Sequence, residues 1–444
     1  MYSSQDILRL VTAPALGCTE PAAIALSAAA AASLLPAGEK IRRMEVTLDP
    51  NLYKNALGVL IPGSGGRAGI ELAAAMGAAG GDPTKGLEVL TSVDAGGLER
   101  AEVLLSGKQV SARIDETCDG LYIHTRIDGT DATAEATVSG MHDRISSLAL
   151  DGQEQTAHPF LASGADAGEQ LDRLERWLRD RRISELVAIA LDLDEEAEAL
   201  IRRGIDYNMA LADYGFRHGG GLGVGRGLER AVGEGILSDD LFTAARKTAA
   251  AASDARMSGA PLPAMSSSGS GNHGITATNI IAAAARRLGS PDRVLLEAVS
   301  IAHVLTAYIK AHTGRLSALC GTAVAAGAGA AAGFVHLRGG DEEALQAAVV
   351  HVIEDLAGII CDGAKASCAL KVATAAGSAV QAGLLAGSGL WPAAGEGIVS
   401  GEAEQTVRNL GRLSKPGMVE TDRTILAIMQ EEQRRRRGAA STAR

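Results

Sequence analysis

The hydrophobic period of this chain changes once, and that change limits the folds open to it. From about residue 41, apolar and polar side chains alternate in Met44–Leu48, Val110–Ile114, Leu121–Ile127 and Ala134–Val138, the pattern of half-buried strands. Gly69–Gly80 and Ala95–Leu105, between them, carry helical spacing. A polar segment from Asp151 to Ala167, broken by Pro159, reads as a linker. Beyond it the strand signal disappears and helical spacing runs through Gly168–Asp180, Ile183–Arg203, Asp239–Ala252, Asn279–Leu288, Arg293–Ala311 and onward to Thr421–Arg436. The expectation is an α+β protein in which residues 1–150 form N-terminal helices and a compact α+β domain with a mostly antiparallel sheet. Residues 165–435 should form a large all-α domain, and 436–444 a disordered tail. Hydrophobic residues make up 46% of the chain but aromatics only 3%, so alanine and glycine fill the cores and helices can approach closely.

Several function classes are disfavoured at once. A net charge of −11 argues against broad nucleic-acid binding. The greasiest stretch, Leu316–Val335, is interrupted by Gly321, Gly327, Gly329 and Gly333 and reads as a small-residue core helix, not a membrane span. The N-terminus shows no basic region leading into an apolar one, and five scattered cysteines do not suit a secreted disulfide framework. The expectation is a soluble, cytoplasmic chain.

Cysteine placement carries the chemistry. Cys320, Cys361 and Cys368 fall in the helical half, and Cys18 stands far away in Gly17-Cys-Thr-Glu-Pro21. Thiolates are preferred ligands of iron–sulfur clusters and of zinc. A cluster held by three thiolates leaves one iron open as a Lewis acid. The lone spacing Cys361-x6-Cys368 lacks the paired short spacings of a zinc ribbon. Cys18 falls in a turn before a helix starting near Pro21, where the helix dipole and free amides would favour a thiolate. Cys118, with no thiol near it in sequence, reads as structural.

Two glycine-rich segments, Ile61–Gly69 and Gly219–Gly227, lack both the dinucleotide and the P-loop spacing, although their amides can cradle a carboxylate. Ser266–Gly274 is more telling: Ser268, Gly269, Ser270, Gly271 and Asn272 offer amides, hydroxyls and one carboxamide to an amino-acid carboxylate. The loop resembles the Ser-Gly-Asn loop of pyridoxal-phosphate β-eliminases. Here the Gly-rich run precedes it and the upstream Lys247 sits in a plain helical stretch, an order that opposes that cofactor. Lys54 and Asn55 follow the first strand, where a lysine beside a carboxamide can bind a carboxylate or act as a base. His142, His273, His303 and His312 lie near other polar motifs.

Taken in order, Gly17–Pro21, Lys54-Asn55, Ile61-Pro-Gly63, Gly86–Leu90, Ser268–Asn272, Tyr308-Ile-Lys310, Arg315–Cys320, Cys361–Lys371 and Gly395–Val399 resemble the L-cysteine desulfidase family. That group is related to the α chain of iron–sulfur L-serine dehydratases. The resemblance implies a [4Fe-4S] cluster, β-elimination of L-cysteine to hydrogen sulfide, ammonia and pyruvate, and a homodimer. It implies Cys320, Cys361 and Cys368 as cluster ligands and Cys18 as the additional family cysteine, and leaves open whether Cys18 is a ligand, a base or a gate over the open iron. The base is Cys18, Lys54 or His142, while Lys54, Asn55 and the 268–272 loop hold the substrate's carboxylate and amine. Thr322, Met141-His-Asp143 and His273 depart from the family pattern, which counts against His273 as the essential base. The expected partner is a small amino acid, with no nucleic acid and no membrane. L-Serine dehydration with the same parts is the rival within enzymes, and a non-enzymatic iron–sulfur sensor the rival outside them.

Overall fold

The computed structural model describes the backbone of residues 2–118, 120–161 and 166–442, and the side chains of all of these except 166–167 and 436–442. The expected linker Asp151–Ala167 and the end of the expected tail therefore lie partly outside the described residues. The chain opens with α1 (Ser4–Val11), β1 (Pro14–Leu16), α2 (Thr19–Leu34), β2 (Arg43–Leu48), α3 (Pro50–Ala56), α4 (Ile70–Gly80) and α5 (Ala95–Ser106). Strands β3 (Val110–Ile114), β4 (Tyr122–Asp128), β5 (Thr133–Ser139), β6 (Ile145–Leu150) and β7 (Gln153–Glu154) follow. The helical half holds α6 (Asp166–Arg179), α7 (Ile183–Leu191), α8 (Glu195–His218), α9 (Val224–Gly233) and α10 (Leu241–Met257), then β8 (Pro263–Met265). It continues with α11 (Gly271–Leu288), α12 (Asp292–Thr313), α13 (Gly327–Leu337), α14 (Glu342–Leu356), α15 (Cys368–Ala386), α16 (Ala403–Arg412) and α17 (Val419–Thr442).

The architecture is α+β. Its sheet runs β3-β2-β4-β5-β6-β7, parallel between β2 and β3 and antiparallel at every other pairing. The alternation read from the sequence sets which face is buried: Met44, Val46, Leu48, Ile123, Ile127, Ala136 and Val138 all point into one core. Alanine-rich α2 covers that face, its Ser27 hydroxyl 2.8 Å from Thr125 Oγ1. Helix α4 crosses α2 backbone to backbone, because a methyl at Gly77 would meet the Ala25 carbonyl oxygen at 2.2 Å.

A second core fills the helical half. Helices α12 and α15 are long and apolar enough to cross a membrane by composition, but 83% and 61% of their apolar windows are buried within the protein. The stretch 183–203 splits into α7 and α8 because Asp194 turns its carboxylate onto the Ala197 amide at 2.8 Å and caps a new helix. Helix α17 carries its helical backbone to Thr442, through most of the segment expected to be a disordered tail; its Glu, Gln, Arg and Ala content favours helix.

Straps join the two halves. Ile7, Leu8 and Val11 of α1 belong to the helical core, and β1 pairs with β8 in register Pro14↔Met265. In the other direction, Leu426 of α17 packs into the sheet core and the Tyr53 hydroxyl donates to Gln433 Oε1 at 3.0 Å. The functional cavity opens where these straps cross.

Candidate active site

A cavity of about 1410 Å³ is walled by the α1–α2 turn, the ends of the sheet, the β8–α11 loop, the residues around Cys320 and Cys361, and α17. Cys18, Lys54, Asn55, His142, Ser268, Gly269, Ser270, Asn272, Cys320, Cys361 and Cys368 all line it. Gly271 does not, because Arg256 lies over it.

Local structure explains how Cys320 and Cys361 come to lie side by side. Leu319 and Ile360 form an isolated antiparallel bridge, closed by Cys320 N donating to Ile359 O at 2.9 Å and Cys361 N to Ala318 O at 2.6 Å. Cys320 and Cys361 each follow a bridged residue, so their side chains leave the same face as diagonal neighbours. After Cys320 the chain makes a π turn over Thr322–Ala326, a distortion common at functional sites. Cys368 is the first residue of α15, and it packs with Ala364 against a small apolar cluster of Cys18, Val59 and Met257. The sulfur of Cys361 lies 4.0 Å from Asn55 Oδ1.

The electrostatics of these thiols suit a metal cluster. Burial, then the neighbouring Cys361, pushes Cys320 up to about 12, and burial raises Cys368 as well. Protein alone does not ionise them, whereas coordination to iron deprotonates a thiol outright. Lys371, one helical turn after Cys368 and donating to Asp362 Oδ1 at 2.6 Å, supplies a positive charge to the same thiols. Among the described residues no three His, Cys, Asp or Glu side chains close to the spacing of a single-ion site. Cys320, Cys361 and Cys368 line one cavity, and thiolates are the usual ligands of iron–sulfur clusters.

Several sequence-based expectations need correction. Cys18 does sit at the N-cap of α2, but its thiol donates to Glu20 Oε2 at 2.9 Å, and burial and that carboxylate push its pKa up instead of down. Lys54 follows the strand β2, as the sequence indicates, and lies in α3, 1% exposed, with Nζ 2.5 Å from Asp422 Oδ1. The Gly219–Gly227 amides do cradle a carboxylate, but it is the protein's own. Asp254 accepts from Leu222, Gly223 and Gly225 N–H at 3.1, 3.0 and 2.9 Å. The Ile61–Gly69 loop closes on itself through Arg67 N to Ser64 Oγ at 2.9 Å and stays off the cavity wall.

The 268–272 segment is held rigidly. Ser268 N donates to Val11 O at 2.7 Å, the Ser266 hydroxyl to Ala13 O at 2.7 Å, and Thr19 Oγ1 to Gly269 O at 3.3 Å. The turn that carries Cys18 is thereby fixed to the loop. Ser268 adopts φ 47° and Gly269 φ 81°, which aims the turn at the cavity. From Gly271 the segment is helix, not loop. His142 packs against it, since a methyl at Gly269 would touch its imidazole at 3.8 Å. Burial lowers the pKa of His142, and its Nε2 has no hydrogen-bond partner among the described residues. Arg315 donates to Gly140 O at 2.8 Å and so ties the His142 loop to the helical half.

Sequence reasoning misses several wall residues. Glu20 lies inside the Gly17–Pro21 motif, and Lys310 inside Tyr308-Ile-Lys310, so both had a signal. Lys310 is 5% exposed, and burial lowers it to about 8 against the raising effect of Cys361. Arg256, buried in the last turn of α10, has no motif to announce it.

Comparison with known proteins identifies a family. The family described as serine dehydratase alpha chain matches residues 85–427. A UPF0597 protein of Desulforapulum autotrophicum is 50% identical over 432 residues, 97% of this chain and 98% of that protein. One of Desulfatibacillum aliphaticivorans is 48% identical over 433 residues (97% and 99%), and one of Clostridioides difficile 38% over 427 (96% and 99%). The chain belongs to the serine dehydratase alpha-chain family.

Proposed function

We propose that this protein is a cytoplasmic carbon–sulfur lyase that converts L-cysteine and water to hydrogen sulfide, ammonia and pyruvate. In this reading Cys320, Cys361 and Cys368 bind a [4Fe-4S] cluster. The observation that carries the reading is the presence of those thiols, Cys18, the His142 imidazole, whose Nε2 has no partner among the described residues, and a Ser/Gly/Asn turn on the wall of one cavity. When bound, the cluster supplies a Lewis acid that stabilises the departing sulfur.

The rest falls to the chain's own side chains. Of the three candidate bases, Cys18 keeps its proton, shared with Glu20, and Lys54 is committed to Asp422. His142 remains, neutral because it is buried, and it is the base we assign to the α-proton of the substrate. The Ser268–Asn272 turn receives the substrate carboxylate through its hydroxyls and amides. Asn55 Oδ1 accepts from the substrate ammonium beside Cys361. Cys18, protonated and packed near Cys368, acts as a gate that moves aside when substrate enters. The aminoacrylate product tautomerises and hydrolyses in water without further assistance. The enzyme works as a homodimer on a free amino acid, without nucleic-acid or membrane partners; its small-residue helices favour such close packing.

L-Serine dehydration is the second reading, favoured by the description of the family itself. It needs the same base and carboxylate site, with hydroxide leaving in place of sulfide. Anaerobic purification, iron and sulfide analysis with an absorption spectrum, and pyruvate assays on both amino acids decide between the two. Iron-loaded protein that makes pyruvate from neither amino acid would end the lyase reading.

A further inference from the structure

Arg256 poses a problem that the residues around it do not solve. Its side chain is 3% exposed at the end of α10 and lines the cavity. Among the described residues its one hydrogen-bonding contact is Nη1 to Met257 Sδ at 3.6 Å, and its Nε has no partner. The nearest acid in sequence, Asp254, is already taken by the amides of Leu222, Gly223 and Gly225. Among the described residues Arg256 makes no salt bridge; Glu20, on the same cavity wall, accepts through Oε2 from the Cys18 thiol. A guanidinium buried this far without a paired carboxylate costs several kcal/mol. Such a charge persists where an anion arrives to pair with it.

The surroundings suit an anion. The guanidinium lies over the first residue of α11, where a methyl on Gly271 would come within 2.3 Å of Nε. Ser270, the N-cap of α11, makes no side-chain capping bond, so the first-turn amides of this helix stay open. The Ser268 hydroxyl in the preceding turn is buried and has no hydrogen-bond partner among the described residues. A bidentate cation, open amides and an idle hydroxyl together make a carboxylate cradle.

We propose that Arg256 anchors the α-carboxylate of the amino-acid substrate, pairing with it over the open first turn of α11 beside the Ser268 hydroxyl. The inference rests on the lyase reading of the same cavity and adds the residue that gives the site its preference for an α-amino acid over an amine or amide. Glycine at 271 is then required because a side chain there would displace the guanidinium.

The test compares wild type, R256Q and G271A, the last leaving every charge in place. On anaerobically reconstituted enzyme, R256Q should raise KM for L-cysteine roughly ten- to a hundredfold, the loss of one charge-assisted bidentate pair. Its kcat/KM for L-cysteinamide should stay within about threefold of wild type, which a merely structural role for Arg256 would not spare. G271A should shift the two substrates in the same unequal way. Independently of turnover, L-alanine but not L-alaninamide should raise the melting temperature of wild type, and neither should raise that of R256Q. If wild type turns over neither cysteine nor serine yet shows this L-alanine effect through Arg256, the lyase reading falls and the anchor stands. If cysteine is turned over and both variants keep the wild-type KM, the anchor falls and the lyase stands. With no turnover, equal L-alanine stabilisation in wild type and R256Q, or none in either, also overturns it.

Discussion

Asp422→Asn tests what Lys54 does. The Lys54 ammonium is 1% exposed and 2.5 Å from Asp422 Oδ1, while the aspartate side chain is 22% exposed. At an effective dielectric of about 20 the gross attraction is about 7 kcal/mol. Desolvation of the ammonium offsets much of that, and breaking such a pair by removing one partner costs about 3–5 kcal/mol. The two ends are unequal. Removing the carboxylate strands a cation whose side chain is almost fully buried, whereas removing the cation leaves a carboxylate with a wider path to solvent. D422N should therefore destabilise by about 3 kcal/mol and K54M by about 1–2 kcal/mol. The double variant K54M/D422L, with no charge to strand, should return to within about 1 kcal/mol of wild type. Urea unfolding followed by circular dichroism at neutral pH measures all three. A K54M loss equal to or larger than that of D422N, or a D422N loss below about 1 kcal/mol, would refute the argument. It would mean that Lys54 is not neutralised by Asp422 and is free for substrate.

Other expectations are briefer. C320S, C361S and C368S should each abolish the visible absorbance of the reconstituted cluster, whereas C18A should keep it and lose turnover; loss of absorbance in C18A would make Cys18 a ligand. Burial depresses His273 to about 3 and His303 and His312 to about 4 in the folded chain. The unfolded chain therefore takes up these protons first, below its value of about 6.5, so stability falls with pH by roughly 1.4 kcal/mol per unit for each histidine. The melting temperature should thus be flat near pH 7.5 and drop steeply from pH 6 to 5; a flat profile across that range would contradict the burial. G77A drives a methyl to 2.2 Å from the Ala25 carbonyl and should cost at least about 2 kcal/mol in a thermal melt. G227A, with nothing within 4 Å of the new methyl on α9, should stabilise by about 0.5–1 kcal/mol.

What the sequence discloses, and what it hides, follows from how local each signal is. β2, β4 and β5 are readable because alternation is written residue by residue. β6 escapes because Ile145-Ser-Ser-Leu-Ala-Leu150 alternates poorly and takes its place from pairing with β5. The thiols, the Gly17–Pro21 turn and the Ser268–Asn272 turn are legible as contiguous motifs. Their partners are not, since Asp422 lies 368 residues from Lys54 and Arg256 reaches the turn from the end of another helix.

Cys18 shows most clearly why local reasoning fails for charge. Its position at a helix N-terminus is legible in the sequence, and the dipole there does favour a thiolate, by about 0.3–1 kcal/mol at an exposed end. Burying an anion away from water costs several kcal/mol, and a carboxylate 2.9 Å away adds repulsion of the same sign. Burial and repulsion outweigh the dipole, and the proton stays on sulfur. Arg256 faces the same burial cost and forms no salt bridge among the described residues. A sequence records which groups can ionise; only the packing decides whether the protein supplies the counter-charge or leaves that to the molecule it binds.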